Sequence, residues 1–310
     1  MIAERKWNGS KIVQPGCYSG IPIDTYHGDV NLLDGFSISS TGVRTVDRRP
    51  SEFWCTSIYN PDRLDEDVSD DTKDQIFGRA AHHLLLGEAD FLKHFAIRPD
   101  KAPDGKAWNG NNTSCKGWLT AQADAGLSVL SPSEIETIKR MRDNLARHPI
   151  VKAGAINGRV ERSMFAKVGG IWLKARPDVI PGDGSDFVDL KTARGVDDDT
   201  LSKAIFNAGY HVQGAVVRMV WRELGYDFGS FVLAFLEKKA PYEVRFFEVR
   251  TQDLDLGERQ ARAAIRTVKE CLKRGQWPGY DGFDPSVLNI DIPTWARTRI
   301  DTDLASKEAA

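Results

Sequence analysis

Residues 159–191 read RVERSMFAKVGGIWLKARPDVIPGDGSDFVDLK. Arg159 to Val168 and Ile171 to Ile180 read as two strands. Gly169-Gly170 between them is a two-residue hairpin signal, because glycine tolerates the positive φ such turns need. A two-residue loop pairs Val168 with Ile171, and counting back along both strands sets Glu161 opposite Asp178. Pro181 to Ser185 is a turn cluster, and the strand Phe187 to Lys191 follows. If Ile180 pairs with Phe187, Asp178 lies opposite Asp189. Alternation along a strand puts Asp189 and Lys191 on one face and sends Val188 and Leu190 the other way, into a core. The register therefore gathers Glu161, Asp178 and Asp189 in a row, with Lys191 two positions on. Like charges directly opposite one another destabilise a sheet, so a cation or protonation must offset them. Hard oxygen ligands suit Mg²⁺ or Mn²⁺ better than zinc. A divalent cation beside a lysine is a recurring arrangement for cutting a phosphodiester. A one-residue slip would scatter the row.

The rest of the chain is consistent with a single large globular unit. Its 310 residues are 41% hydrophobic and 28% charged, with a formal net charge of -2. That balance does not announce a nucleic-acid binder, so positive charge for such a partner must be concentrated locally, in a groove or the hole of a ring. Cys17, Cys55, Cys115 and Cys271 stand far apart with no Cys-x-x-Cys pair, which argues against a zinc ribbon or an iron–sulfur cluster. Reduced thiols in a cytoplasm are the default expectation. The N-terminus lacks the apolar run of a signal peptide, and no stretch approaches the roughly 18 apolar residues of a membrane span.

Along the chain, residues 1–35 read as an irregular arm. Ser39 and Ser40 offer N-caps for a short helix that Arg48-Arg49-Pro50-Ser51 should end. Asp62 to Asp74 reads as acidic loop. A helix is expected from about Thr72 to Gly87, burying Ile76, Phe77, Ala80, Ala81, Leu84 and Leu85. Residues 99–117 read as a long loop, and Ser131-Pro132-Ser133-Glu134 opens another helix. After the meander, one helix is expected from Leu201 to Leu224, burying Ala204, Ile205, Ala208, Val212, Ala215, Val216 and Met219. Strands over Phe231–Glu237 and Tyr242–Arg250 precede a helix over Leu254–Arg274, and the tail from Trp277 reads as loop-rich. This order suggests one mixed α/β sheet flanked by helices.

The run Lys174-Ala175-Arg176-Pro177-Asp178, followed by Asp189-Leu190-Lys191-Thr192, resembles the active-site signature of the PD-(D/E)XK nuclease superfamily. Flanking segments are similar to its phage and prophage exonuclease VIII (RecE-like) branch: Ile38 to Gly42, Arg49 to Trp54, Gly78 to His82, Tyr210 to Gln213, Glu237 to Tyr242, and Trp277 to Tyr280. The resemblance covers roughly residues 36–297 and implies an α/β, restriction-endonuclease-like core with a central mixed β-sheet flanked by helices and an N-terminal helical and irregular extension. It divides the chain into an arm over 1–70, a nuclease core over 71–275 and a tail over 276–310, within one structural domain. It implies a Mg²⁺-dependent (or Mn²⁺-dependent) exonuclease that degrades one strand of linear duplex DNA from the 5′ end in a host cytoplasm. Relatives form rings, trimers or tetramers, and work beside a single-strand annealing recombinase. Two departures stand out. Relatives carry a Gln with Tyr four residues later, whereas Gln213 is followed by Val217, so that tyrosine's role is absent or passes to Tyr210. The 99–117 segment is also longer than expected.

The roles follow. Asp178 and Asp189 are expected metal ligands, and Lys191 is expected to orient the attacking water and balance charge on phosphorus. Glu161 is a second-carboxylate candidate, either ligand or outer support. His82 matches the position where related nucleases use a helix histidine as a metal ligand, with His83 beside it. Gln213 and Tyr210 are candidates for contact with water or the DNA backbone, or else for helix packing. Ser40 with Arg44 one turn on could receive a terminal 5′-phosphate, and Arg176 could clamp another. Trp54, Trp108 and Trp118 are read as core residues before base-stacking ones. An endonuclease of the same superfamily, a non-catalytic DNA-end-binding protein on the same fold, and a two-carboxylate glycosidase are the competing readings.

Overall fold

The computed structural model describes residues 3–63, 72–87, 90–181, 186–287 and 289–308. The expected acidic loop between Asp62 and Asp74 lies mostly outside them.

The first 35 residues are more ordered than their composition suggests. β1 (Glu4–Lys6) and β2 (Gly16–Ser19) run parallel, and α1 (Ile23–Gly28) follows. Tyr18, Ile21, Tyr26, Leu32 and Leu33 bury against Phe165 and Trp172. These apolar residues lie too irregularly spaced to show as a periodic pattern, so only the sheet they cover reveals their purpose. β3 (Ser37–Ser39) leads into α2 (Ser40–Arg48), whose cap is Ser39, its Oγ accepting from the Gly42 N–H. Arg49, at an extended φ/ψ, ends α2, and Pro50 opens the short helix α3 (Pro50–Cys55).

α4 (Lys73–Leu86) starts with a reciprocal capping box between Thr72 and Gln75 and stops at Gly87, whose φ of 71° is left-handed. Phe77, Ala80 and Ala81 are its buried face; Ile76, Leu84 and Leu85 are only half-buried. α5 (Phe91–His94), β4 (Phe95–Ile97), α6 (Thr113–Asp124) and β5 (Ser128–Leu130) follow. The expected loop over 99–117 ends early, because the Asn112 side chain accepts from Ser114 N and caps α6. α7 (Pro132–Arg147) opens with the Ser131–Glu134 capping box, and α8 (Pro149–Lys152) is a single turn.

The hairpin then forms in the expected register, but it is broken in the middle. β6 (Gly158–Val160) and β7 (Ser163–Val168) make one arm; β8 (Ile171–Ala175) and β9 (Val179–Pro181) make the other. Val168 pairs with Ile171, Met164 with Ala175, and Val160 with Val179, so a single register runs through the break. At the break Pro177 can give no N–H to a ladder, and Glu161 sits at a φ of +54°. The ladder therefore divides between two sheets. β1, β2, β7, β8 and β3 form one, in that order. The other runs β12 (Val244–Glu248), β11 (Phe231–Glu237), β10 (Phe187–Ala193), β9, β6. One central sheet was expected; two five-stranded sheets joined by a bent hairpin are found, with β4 and β5 as a separate parallel pair.

The long helix expected over Leu201–Leu224 is two: α9 (Asp198–Asn207) and α10 (Tyr210–Glu223). Gly209, at a φ of 64°, makes the break, and Arg44 crosses so close that a Cβ there would sit 2.2 Å from its Cδ. Val212, Ala215, Val216 and Met219 are buried as expected, but Ala204, Ile205 and Ala208, before the break, are only half-buried. α11 (Thr251–Arg274) packs on α10 and α2. The tail is not all loop, since α12 (Thr294–Glu308) forms there, with no buried residue.

The second sheet is buried on both faces. Phe187, Leu233 and Phe235 face α10 and α11, and Val188, Leu190, Ala234 and Leu236 face α4 and α7. Among the described residues no helix is long and apolar enough to cross a membrane.

Candidate active site

The site lies where the second sheet splits. Val179 pairs with Val188, the one residue pair between β9 and β10 among the described residues. The same register sets Asp178 opposite Asp189, as expected, but the strands have parted there. Leu190 is thus left with an N–H and a carbonyl that find no strand partner on that side. Both are taken by side chains. Leu190 N donates to Asp178 Oδ2 at 2.5 Å, and His82 Nε2 lies 3.1 Å from Leu190 O. His82 comes from α4, on the other face of the sheet, and its Nε2 is also 2.9 Å from Asp178 Oδ2.

Glu161 joins them through the backbone, its N–H donating to Asp178 O at 3.0 Å. One donor atom each from His82, Glu161 and Asp178 lie within 4.8 Å of one another, a group that could hold a metal ion. Of the expected ligands, His82 and Asp178 fall in this group together with Glu161, and Asp189 faces Asp178 across the split. Asp189, 1% exposed, turns to Lys191, whose Nζ meets Asp189 Oδ2, and to Gln213, whose Nε2 donates to Asp189 Oδ1 at 2.7 Å. The Lys191 Nζ stands 4.8 Å above the centre of the Tyr210 ring.

Charge and burial set the protonation of these groups. Burial works against the charged imidazole of His82, but Asp178 and then Asp189 outweigh it and push its pKa up to about 9. Burial raises the Asp189 carboxyl, Asp178 adds to the rise, and Lys191 and His82 oppose it. Burial would lower Lys191, yet Asp189 and Asp178 hold it above the ordinary lysine value.

Arg176 does not stand free as a phosphate clamp. Its Nε contacts Glu161 Oε2 at 2.8 Å, its Nη2 donates to Ile21 O at 2.7 Å, and its side chain is only 10% exposed. The ordered N-terminal segment covers it. Ser40 and Arg44 stand one turn apart on α2, and Arg44, which passes over Gly209, is partly buried and carries a pKa lowered by that burial. Trp54 stacks on Trp277, with 4.7 Å between ring centres, and Trp108 meets Trp118 edge-on; all three are half-buried ring contacts outside the buried core expected for them. The Leu190 backbone was not foreseen in the site. A residue between Asp189 and Lys191 carries that possibility in sequence, but only the strand split frees its polar groups.

The donor set fits a divalent cation: two carboxylates and one imidazole, the carboxylates favouring Mg²⁺ and the imidazole leaning toward Mn²⁺. An acid row and a lysine on a split mixed sheet, with helices on both faces, define a PD-(D/E)XK nuclease-like fold. The profile of a PDDEXK-like domain of unknown function (DUF3799) matches residues 61–283, and the chain belongs to that family. No curated protein sequence matches it. Among solved structures, a candidate exonuclease from Eubacterium rectale superposes with a TM-score of 0.53 at 16% identity, covering 84% of this chain and 92% of that one. A phage-related exonuclease from Haemophilus somnus 129PT gives 0.31 at 11% identity, over 64% of this chain and 95% of that one. The alkaline exonuclease of Laribacter hongkongensis gives 0.29 at 14% identity, over 53% and 86%.

Proposed function

We propose that the chain is a metal-dependent deoxyribonuclease that degrades linear duplex DNA from its ends, 5′→3′, leaving 3′ single-stranded tails for phage-type recombination. The observation that carries the reading is the convergence of His82, Glu161 and Asp178 beside the buried pair Asp189 and Lys191. His82, Glu161 and Asp178 are the groups that would hold the ion, with Asp189 facing Asp178 across the split. Lewis-acid polarisation of a phosphoryl oxygen is the chemistry that Mg²⁺ or Mn²⁺ supplies when bound.

The chain's own groups do the rest. Lys191 stays protonated because Asp189 and Asp178 favour its charged form. It presents a fixed positive charge where negative charge builds on phosphorus. Asp189 aims that ammonium, and Gln213 fixes Asp189. Tyr210 limits water around Lys191 and is a candidate contact for the DNA backbone, together with Ser40 and Arg44 on α2. A closed ring of three or four copies would keep a weakly acidic protein on its DNA by encirclement, and a single-strand annealing recombinase is the partner that would receive the tails.

Digestion of a 5′-phosphorylated linear duplex, with Mg²⁺ or with EDTA, beside closed circular DNA tests the reading. Loss of the linear substrate alone, and only with the ion, is expected. Equal attack on the circle would identify an endonuclease, and no cleavage of either would leave an end-binding protein on a nuclease fold.

A further inference from the structure

The basic residues of α11 do not scatter. Arg259, Arg262, Arg266, Lys269 and Lys273 follow one another at spacings of three, four, three and four, which places them on one side of a helix. All five are exposed, while Leu254, Gly257, Ala261, Ala264, Ile265, Val268 and Cys271 form the opposite, buried side. At a rise of 1.5 Å per residue the row is about 21 Å long. Arg262 pairs with Glu258 at 2.7 Å. Arg259, Arg266, Lys269 and Lys273 make no ion pair among the described residues. In a chain whose formal net charge is -2, this is a local concentration of positive charge, offset in part by Glu258 beside Arg262 and Glu270 beside Lys273.

A cavity of about 850 Å³ lies at the N-terminal half of this row, between α9 and α11. Arg259, Arg262 and Arg266 line it together with the acids Asp47 and Asp253, and Ile205, Phe206 and Leu256 supply apolar wall. Phe206 is 77% exposed, an aromatic face open to solvent beside three arginines. The cavity also reaches His211, the residue after Tyr210, whose ring stands under the Lys191 ammonium. Phosphate-spaced cations along a rigid helix, next to an unpartnered aromatic ring, are what a single nucleic-acid strand requires: charge for the backbone and a face for a base.

We infer that the α11 basic row and the Phe206 cavity form a binding track for single-stranded DNA, separate from the metal centre. The inference rests on the nuclease reading for its biological sense, since single strands are what that reaction leaves, but the surface binds whether or not the centre cuts. Apolar wall and an exposed ring favour an unpaired strand over a duplex, whose bases are stacked within.

The test is fluorescence anisotropy of a labelled oligothymidylate with the full chain in EDTA, over a salt series. Three variants are compared with the wild type: Arg266→Glu/Lys269→Glu, Phe206→Ala, and a control reversal of exposed lysines on α6 and α7, Lys116→Glu/Lys139→Glu. The row variant should bind the strand at least tenfold more weakly, with the slope of log K against log salt reduced by roughly 1.4, the release expected for two phosphate contacts. Phe206→Ala should lose affinity with the slope unchanged. Hydrolysis of a nucleotide-sized phosphodiester should be unaltered in both, which separates failure of the track from failure of the metal centre. Unchanged strand binding by the row variant, or an equal loss in the control, overturns the inference. So does a row variant that loses binding to phosphatidylserine vesicles while keeping the oligonucleotide.

Discussion

At the residue scale, the centre is a set of charges of both signs drawn together at the split of the second sheet. His82 supplies the positive charge between Asp178 and the Leu190 carbonyl, while Lys191 and Gln213 do the same for Asp189. Under the metal reading, saturating Mn²⁺ raises the melting temperature of the wild type, by the equivalent of about 2.7 kcal/mol at a hundredfold excess over Kd. Differential scanning fluorimetry should find no such rise in Asp178→Asn, whose side chain still accepts from Leu190 N but lacks the charge. A second prediction concerns Lys174, on β8. It is buried, donates to Tyr26 O at 2.7 Å, and burial pulls its pKa down from 10.5 to about 8. The folded protein thus sheds this proton before the unfolded chain does. Stability therefore rises with pH between about 8 and 10.5 on this account, because the unfolded state binds more protons there. The melting temperature of the wild type, measured against Lys174→Met, should gain on the variant as pH climbs from 7 to 10; a difference flat in pH would remove the assignment.

At the scale of elements, the decisive features are places where a ladder or helix stops. The bent hairpin keeps its register across Glu161 and Pro177 yet changes sheets, and the start of β9 only at Val179 leaves the gap that His82 enters from α4. Gly-Gly turn chemistry and strand alternation made the register legible, since both act between near neighbours. The division into two sheets was not legible, because it depends on which distant surfaces the strands cover. The break at Gly209 belongs to the same class: α9 and α10 read as one helix until Arg44 claims the space. α10 and α11 meet as closely at Gly257, where a Cβ would stand 2.6 Å from His211 O and 2.9 Å from Ala215 Cβ. Gly257→Ala should destabilise the protein by about 1–3 kcal/mol through overpacking, outweighing the roughly 1 kcal/mol that alanine gains in a helix. Denaturant unfolding checks this, and a stabilised variant would show that the two helices can separate without cost.

At the scale of the whole molecule, a net charge of -2 must be reconciled with a polyanionic substrate. The proposed function predicts that degradation of linear duplex falls steeply between 50 mM and 200 mM salt, as phosphate contacts are lost. It also predicts three or four copies per particle in light scattering, with a monomer counting against encirclement. Sequence alone determined what is local or periodic: the capped helices, the Gly169-Gly170 turn, the facing of Asp178 by Asp189, and the shared face of Asp189 and Lys191. Tertiary structure alone decided how those charges divide. It gave Glu161 to the His82 and Asp178 group, gave Asp189 to Lys191 and Gln213, and drew Arg176 into support of Glu161 under the N-terminal segment. Register follows from bonds between adjacent strands. Which charge a carboxylate meets is set by long-range packing that brings α4, α10 and the first 35 residues onto the sheet, and no spacing along the chain encodes that.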